Sequence, residues 1–167
     1  MDRSPAPAPS RARGTLLSSS PEATHALGHA LGAAARPGTV LALVGRLGAG
    51  KTQLAKGVAA GLGVHGVVNS PTFVLMNEHA GRLRLYHADA YRLTDPEQAV
   101  AAGLLDERQA TGVVVVEWAD RLDGWLPAER LEISLGPVAG DEDAREVRWE
   151  AHGEEHERLA ADAVPDR

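Results

Sequence analysis

Val40-Leu41-Ala42-Leu43-Val44-Gly45-Arg46-Leu47-Gly48-Ala49-Gly50-Lys51-Thr52 is the stretch that decides the fold. Its first five residues are apolar without a break, the pattern of a strand buried on both faces. The next eight meet G-x-x-x-x-G-K-[ST] at every required position. Residues 53–60 then read as helix. Strand, glycine loop and helix in this order form a phosphate cradle, because loop N–H groups and the helix N-terminus both face the anion. In such a cradle Gly45, Arg46, Leu47, Gly48, Ala49 and Gly50 form the wall. Lys51 reaches the β- and γ-phosphates, and the Thr52 hydroxyl holds Mg²⁺. The plainer alternative is a glycine-rich turn that meets the pattern by chance. The flanking strand and helix weigh against it. The pattern leaves open which nucleotide is bound, and for what.

Working outward, 167 residues suffice for one domain with a core, and a hydrophobic share of 44% is that of a globular chain. There is no cysteine, which removes disulfides, thiol catalysis and Cys-based zinc sites. No apolar run has the length of a membrane span. Residues 1–13, rich in Pro, Ala, Ser and Arg, lack the apolar centre of a secretory signal and read as a disordered tail. Residues 14–163 then form the domain and 164–167 a short C-terminal tail. A cytoplasmic protein is the expectation. The net charge of −6 gives no independent grip on nucleic acid. Only two lysines occur, Lys51 and Lys56, and one of them falls in the glycine loop.

Along the chain, residues 14–17 read as a short edge strand. Ser20-Pro21 opens a helix, with Ser20 as N-cap, that stops before Pro37-Gly38. Strand 74–78, a turn at 79–82 and strand 83–89 make an antiparallel hairpin. Asp95 caps a helix running to about residue 103. Val113-Val114-Val115-Val116 is apolar on both faces, as a central strand should be. Strands at 130–135 and 145–152 flank an acidic loop, Asp141-Glu142-Asp143, and a helix over 154–163 closes the chain. The expected fold is α/β, a single P-loop NTPase domain whose mixed parallel and antiparallel sheet is flanked by helices.

A phosphate loop needs a carboxylate at its metal, usually at the end of a neighbouring apolar strand. Glu117, directly after the four valines, is that residue. Trp118 follows it, either as a core anchor or beside the nucleotide. In His87-Ala88-Asp89-Ala90-Tyr91-Arg92, strand alternation aims His87 and Asp89 the same way. Asp89 then orients or deprotonates an attacking water, or holds a metal-bound one. A bland pairing of Asp89 with Arg92, and a satisfied core histidine, stand beside that reading. Thr72 in Ser70-Pro71-Thr72-Phe73 invites comparison with a switch threonine that senses γ-phosphate and Mg²⁺. The competing reading is a Ser-Pro turn. His152-Gly153-Glu154-Glu155-His156 misses the zinc-protease pattern, since Gly153 stands where Glu is needed.

Taken together, an N-terminal helix, G-x-L-G-A-G-K-T, S-P-T-F, H-x-D-x-Y-R and V-E-W occur in an order that resembles the TsaE family. These are P-loop ATPases of bacterial tRNA threonylcarbamoyladenosine (t6A) biosynthesis. The resemblance spans residues 17–152. It implies that residues 45–52 bind ATP phosphates, with Lys51 among the catalytic groups, and that Thr52 and Glu117 bind Mg²⁺. It further implies Thr72 as the switch-like residue, Asp89 as a catalytic-site acid and Trp118 near the nucleotide. The implied partners are the TsaB–TsaD heterodimer, with tRNA met only through that complex and no membrane contact. Arg46 departs from the acidic residue usual there, and Ala119 replaces a common proline. Neither change removes a liganding group. A P-loop small-molecule kinase remains the alternative, with Arg82, Arg84 and Arg92 available to a lid. The N-K-x-D segment with which GTPases read guanine is absent from the sequence.

Overall fold

The computed structural model describes residues 11–46, 48–66, 68–69, 76–101, 103 and 107–165. The elements follow as β1 (Arg11–Ser18), α1 (Pro21–Ala34), β2 (Thr39–Gly45), α2 (Lys51–Gly61), β3 (Met76–His79), β4 (Leu85–Asp89), α3 (Glu97–Ala101), β5 (Val113–Glu117), β6 (Arg130–Val138), β7 (Asp141–His152) and α4 (Glu154–Ala163). Short 3₁₀ turns precede and follow β5. One seven-stranded sheet has the order β1-β7-β6-β2-β5-β4-β3. Its centre, β6-β2-β5-β4, is parallel, and β7, β1 and β3 pair antiparallel at the two sides. The expected mixed α/β sheet is therefore present.

The valine run occupies the position that its composition demands. Strand β5 lies between β2 and β4 and is buried along its whole length. Val113 and Val115 face a core shared with Leu41, Leu43, Leu54, Val58 and Ile133. Val114 and Val116 face a second core with Val40, Ala42, Tyr86 and Leu122. Alternation thus sends Glu117 to the same side of the sheet as Val113 and Val115, the side covered by α2.

Helix α1 begins as its sequence indicates. The Ser20 hydroxyl accepts from the Ala23 N–H at 3.0 Å, and Pro21 occupies the first turn. Its far end is closed by Arg82, whose Nη2 donates to the carbonyls of Gly32 and Ala35, both at 2.9 Å. A cation there meets both the free carbonyls and the negative end of the helix dipole. The role of Arg82 also explains why β4 starts at Leu85 and not at residue 83. The Arg82 N–H donates to the Leu62 carbonyl at 2.6 Å, which draws the chain off the sheet toward the helices.

Helices α1 and α2 touch backbone to backbone. Gly28 and Gly32 of α1 oppose Gly57 and Gly61 of α2. An added Cβ at Gly28 or Gly32 would overlap the carbonyl oxygens of Leu54 or Val58. One at Gly57 or Gly61 would overlap those of His25 or His29. The four glycines, each pair spaced by four, bring α1 against the helix that starts at the glycine loop.

Other boundaries also differ from expectation. Strand β1 begins at Arg11, inside the tail expected to end at residue 13, because the long β7 offers Arg11 to Arg13 partners from His152 to Glu150. The acidic residues 141–143 are not a loop but the first residues of β7. The turn is at Ala139-Gly140, where Gly140 takes φ +81°. Helix α3 is shorter than drawn, with Asp95 Oδ1 accepting from the Glu97 N–H. Residues 74 and 75 of the expected hairpin strand lie outside the described residues, but its antiparallel pairing with β4 stands. No helix among the described residues is long and apolar enough to cross a membrane.

His156 of α4 has a structural task. Val40 precedes the first β2–β6 register pair, Leu41 with Leu131. Its N–H donates instead to His156 Nε2 at 3.0 Å. Burial pulls this histidine down to about 4; Glu155 opposes that, while Arg158 and His152 add to it. Between pH 6.5 and 4 the unfolded chain binds a proton that the folded chain refuses. Stability present above pH 6.5 is therefore lost as pH falls toward 4, by about 3 kcal/mol at most. His156→Gln keeps an acceptor and does not titrate. Its urea midpoint should fall less steeply over this range than that of the unsubstituted protein; parallel pH profiles would show that His156 does not titrate in this way.

Candidate functional site

The site forms at the carboxyl ends of the parallel strands, where open α/β sheets place their ligands. Gly50, at φ +103°, turns the chain out of the glycine loop so that α2 starts at Lys51. Glu117 and Asp89 end the neighbouring strands β5 and β4 side by side, in register with Leu43 two residues before the end of β2. A cavity of about 370 Å³ opens over them, lined by Gly48, Ala49, Gly50, Lys51, Thr52, Gln53, Asp89, Tyr91, Glu117 and Trp118. A larger one, about 600 Å³, flanks the loop on the β6–β7 side, with Arg46, Gly48, Ala49, Val138 and Arg145 in its wall.

Lys51 is buried and its ammonium is held three ways. It donates to the carbonyls of Gly45 at 2.6 Å and Arg46 at 2.8 Å, and lies 4.1 Å from the Trp118 ring centre. Burial lowers its pKa, opposed by the charges of Glu117, Asp89 and Asp120. The Thr52 hydroxyl donates to Glu117 Oε1 at 3.0 Å. The other carboxylate oxygen, Oε2, lies 2.6 Å from His87 Nε2. Asp89 Oδ1 accepts the Tyr91 N–H at 2.9 Å. Its pKa is raised, first by burial and then by Glu117; the Tyr91 N–H, His87 and Lys51 pull the other way.

Trp118 is the only non-glycine with positive φ among the described residues, at φ 57° and ψ 40°. A left-handed tryptophan costs on the order of 1 kcal/mol or more, and such strain collects at functional sites. Here the turn folds the indole back over Lys51 and against Tyr91, with ring centres 4.8 Å apart.

The structure therefore brings Lys51, Thr52, Asp89, Glu117 and Trp118 together with Gly48, Ala49 and Gly50. Gly45 meets Lys51 through its carbonyl, and Arg46 lines the larger cavity. Leu47 and Thr72 lie outside the described residues. Sequence reasoning missed Tyr91 and Arg145. Arg145 of β7 donates to the loop carbonyls of Ala49 at 3.0 Å and Gly48 at 3.1 Å. The guanidinium thus fixes those two carbonyls on the β7 side of the loop. No local pattern marks Arg145, which reaches the loop from a strand almost a hundred residues later.

Comparison with known proteins identifies the family. The family profile described as "Threonylcarbamoyl adenosine biosynthesis protein TsaE" matches residues 18–147. The chain belongs to the TsaE family. A TsaE from Bacillus subtilis, named a tRNA threonylcarbamoyladenosine biosynthesis protein, is 44% identical over 140 residues, 83% of this chain and 86% of the relative. The TsaE of Mycobacterium leprae is 41% identical over 146 residues, 82% of this chain and 90% of its own. The crystal structure of Bacillus subtilis YdiB superimposes with a TM-score of 0.75 at 36% identity, covering 91% of this chain and 94% of that one. The TsaE match ends within β7, two residues past Arg145.

Proposed function

We propose that the chain is an Mg²⁺-dependent ATPase of the cytoplasm, weak alone, that serves tRNA t6A biosynthesis with a TsaB–TsaD heterodimer. One observation carries the reading. The acid from the valine strand and the hydroxyl after the loop lysine meet at 3.0 Å, in the same cavity as Lys51 and Asp89. That arrangement has no need to exist in a chance glycine turn. Membership of the TsaE family supplies the process.

The donors fit the ion. Thr52 and Glu117 offer hard oxygens on one wall, as Mg²⁺ prefers, and leave room for water and phosphate oxygens. Bound there, Mg²⁺ would neutralise charge on the β- and γ-phosphate oxygens. The chain's own groups do the rest. Loop N–H groups and the α2 N-terminus hold phosphate, and Lys51 exchanges its carbonyl partners for phosphate oxygens. Asp89, partly buried at the cavity wall, orients the attacking water. Trp118 shields Lys51 from solvent, which strengthens its attraction for phosphate. Thr72 reports the γ-phosphate to the partner. ATP state then governs docking to TsaB–TsaD, and hydrolysis permits another round. tRNA is met only through that complex, consistent with the acidic net charge.

The test is phosphate release and t6A formation with and without TsaB–TsaD, for the unsubstituted chain, Thr52→Ala and Glu117→Ala. Partner-stimulated hydrolysis should fall at least about 100-fold in both variants, since Mg²⁺ tolerates loss of a ligand poorly. Normal turnover in both would remove the metal assignment. Hydrolysis unaffected by the partners, or phosphate passed to a small acceptor instead of water, would remove the proposed cycle.

A further inference from the structure

His87 is fully buried, and its Nε2 meets Glu117 Oε2 at 2.6 Å. It sits on β4 opposite Val115, one alternate position before Asp89, so it lies beneath Glu117 on the α2 side of the sheet. Nδ1 has no hydrogen-bond partner among the described residues. An ionised carboxylate only accepts, so Nε2 carries the hydrogen and donates it. In the neutral ring Nδ1 is then a bare lone pair, which is cheaper to leave unmatched than a buried N–H. The two oxygens of Glu117 are thereby divided. One is held by His87 below, and the other receives the Thr52 hydroxyl above. Three elements, α2, β5 and β4, are joined through one carboxylate.

We propose that His87 is the positioning residue of this site. It fixes the Glu117 rotamer so that Oε1 stays beside the Thr52 hydroxyl, and it thereby sets how strongly Mg²⁺ tightens nucleotide binding. The proposal rests on the ATP and Mg²⁺ reading above. Physical reasons favour it over a plain core role. An aliphatic residue would fill the same space without a buried polar atom to satisfy, as Leu85 does two positions earlier. A glutamate side chain has three rotatable bonds, and only one oxygen can be pinned by Thr52. A short charge-assisted bond to the second oxygen removes most of that freedom. Partners that orient a metal-binding carboxylate typically change metal affinity by about 10- to 100-fold when lost.

The experiment is calorimetric binding of a non-hydrolysable ATP analogue, in excess Mg²⁺ and in EDTA, with a melting curve for each variant. His87→Leu removes the donor and keeps an apolar filling. It should lose about 10-fold or more of the Mg²⁺-dependent gain in affinity, while binding in EDTA stays within about three-fold. His87→Gln carries its amide N–H₂ to the place of Nε2–H and should keep the gain. His87→Asn, one methylene shorter, should not. The Gln and Asn pair decides the matter if the leucine variant folds poorly. A full Mg²⁺ gain in His87→Leu, equal losses with and without Mg²⁺, or like behaviour of Gln and Asn would each overturn the His87 assignment alone. A Mg²⁺ gain absent from the unsubstituted protein would overturn the ATP and Mg²⁺ reading together with it.

Discussion

Lys51→Ala is expected to bind ATP at least about 100-fold more weakly than the unsubstituted chain, and to hydrolyse none at a measurable rate. Lys51 is buried at the cavity wall, with Trp118 over its ammonium and two loop carbonyls as its present partners. Phosphate oxygens are stronger acceptors than carbonyls, because they carry formal charge. Removing one preorganised donor from a desolvated site costs about 3 to 4 kcal/mol, a factor of roughly 10² to 10³. The fold should tolerate the change. The variant loses two hydrogen bonds but also the desolvation that lowers the lysine's own pKa, and these terms oppose each other. One consequence separates this lysine from a purely structural one. Glu117 and Asp89 would lose a shared cation, so Mg²⁺ should bind the two acids without nucleotide more readily in the variant than in the parent. Calorimetry with ATP and a melting curve decide the case. Affinity within about three-fold of the parent would show that the loop does not hold phosphate through Lys51, and a collapsed melting temperature that the fold does not tolerate its loss.

Much of this site was legible because its signals are local. The loop pattern names eight consecutive residues, and the valine run announces a central strand with an acid at its end. Ser20-Pro21 marks a helix start that needs no tertiary knowledge. His87 and Asp89 share a face because a strand alternates. What remained hidden was partnership across long distances in sequence. Burial of His87 is readable from its strand, but its bond to Glu117 depends on β4 and β5 being neighbours in a given register. Arg145 looks like one more charge beside an acidic segment until the β6–β7 hairpin carries it to the loop. Trp118 could be read as a core anchor or a site residue, and its left-handed backbone settles its direction without leaving any trace in composition. The acidic residues 141–143 read as loop because charge suggests exposure, and they are indeed exposed, but on a strand. Exposure and loop are different properties, and the sequence pattern reports only the first.

Gly57→Ala should be among the most damaging single changes in the chain, although local propensity predicts the opposite. In an open helix interior, Ala is favoured over Gly by about 1 kcal/mol. Here the added methyl would overlap the His25 carbonyl oxygen, and the Gly28 Cα lies only 3.0 Å from the same position. Neither neighbour is a side chain that can rotate away. Relief requires the helices to separate along their whole crossing, which also loosens the contacts at Gly32 and Gly61. Overpacking of this kind costs about 3 kcal/mol or more, against a total stability of about 5 to 15 kcal/mol for a typical domain. The damage should reach function as well, since α2 begins at Lys51 and Thr52. Gly136→Ala is the control, because an added Cβ there meets nothing closer than 3.9 Å. Its urea midpoint should stay near that of the parent. The double variant Gly28→Ala, Gly57→Ala adds a sharper test. Both methyls enter one gap, so once the first has forced the helices apart the second should cost less than it does alone. Fully additive losses, or a Gly57→Ala chain as stable as Gly136→Ala, would mean that α1 and α2 do not pack backbone to backbone in solution.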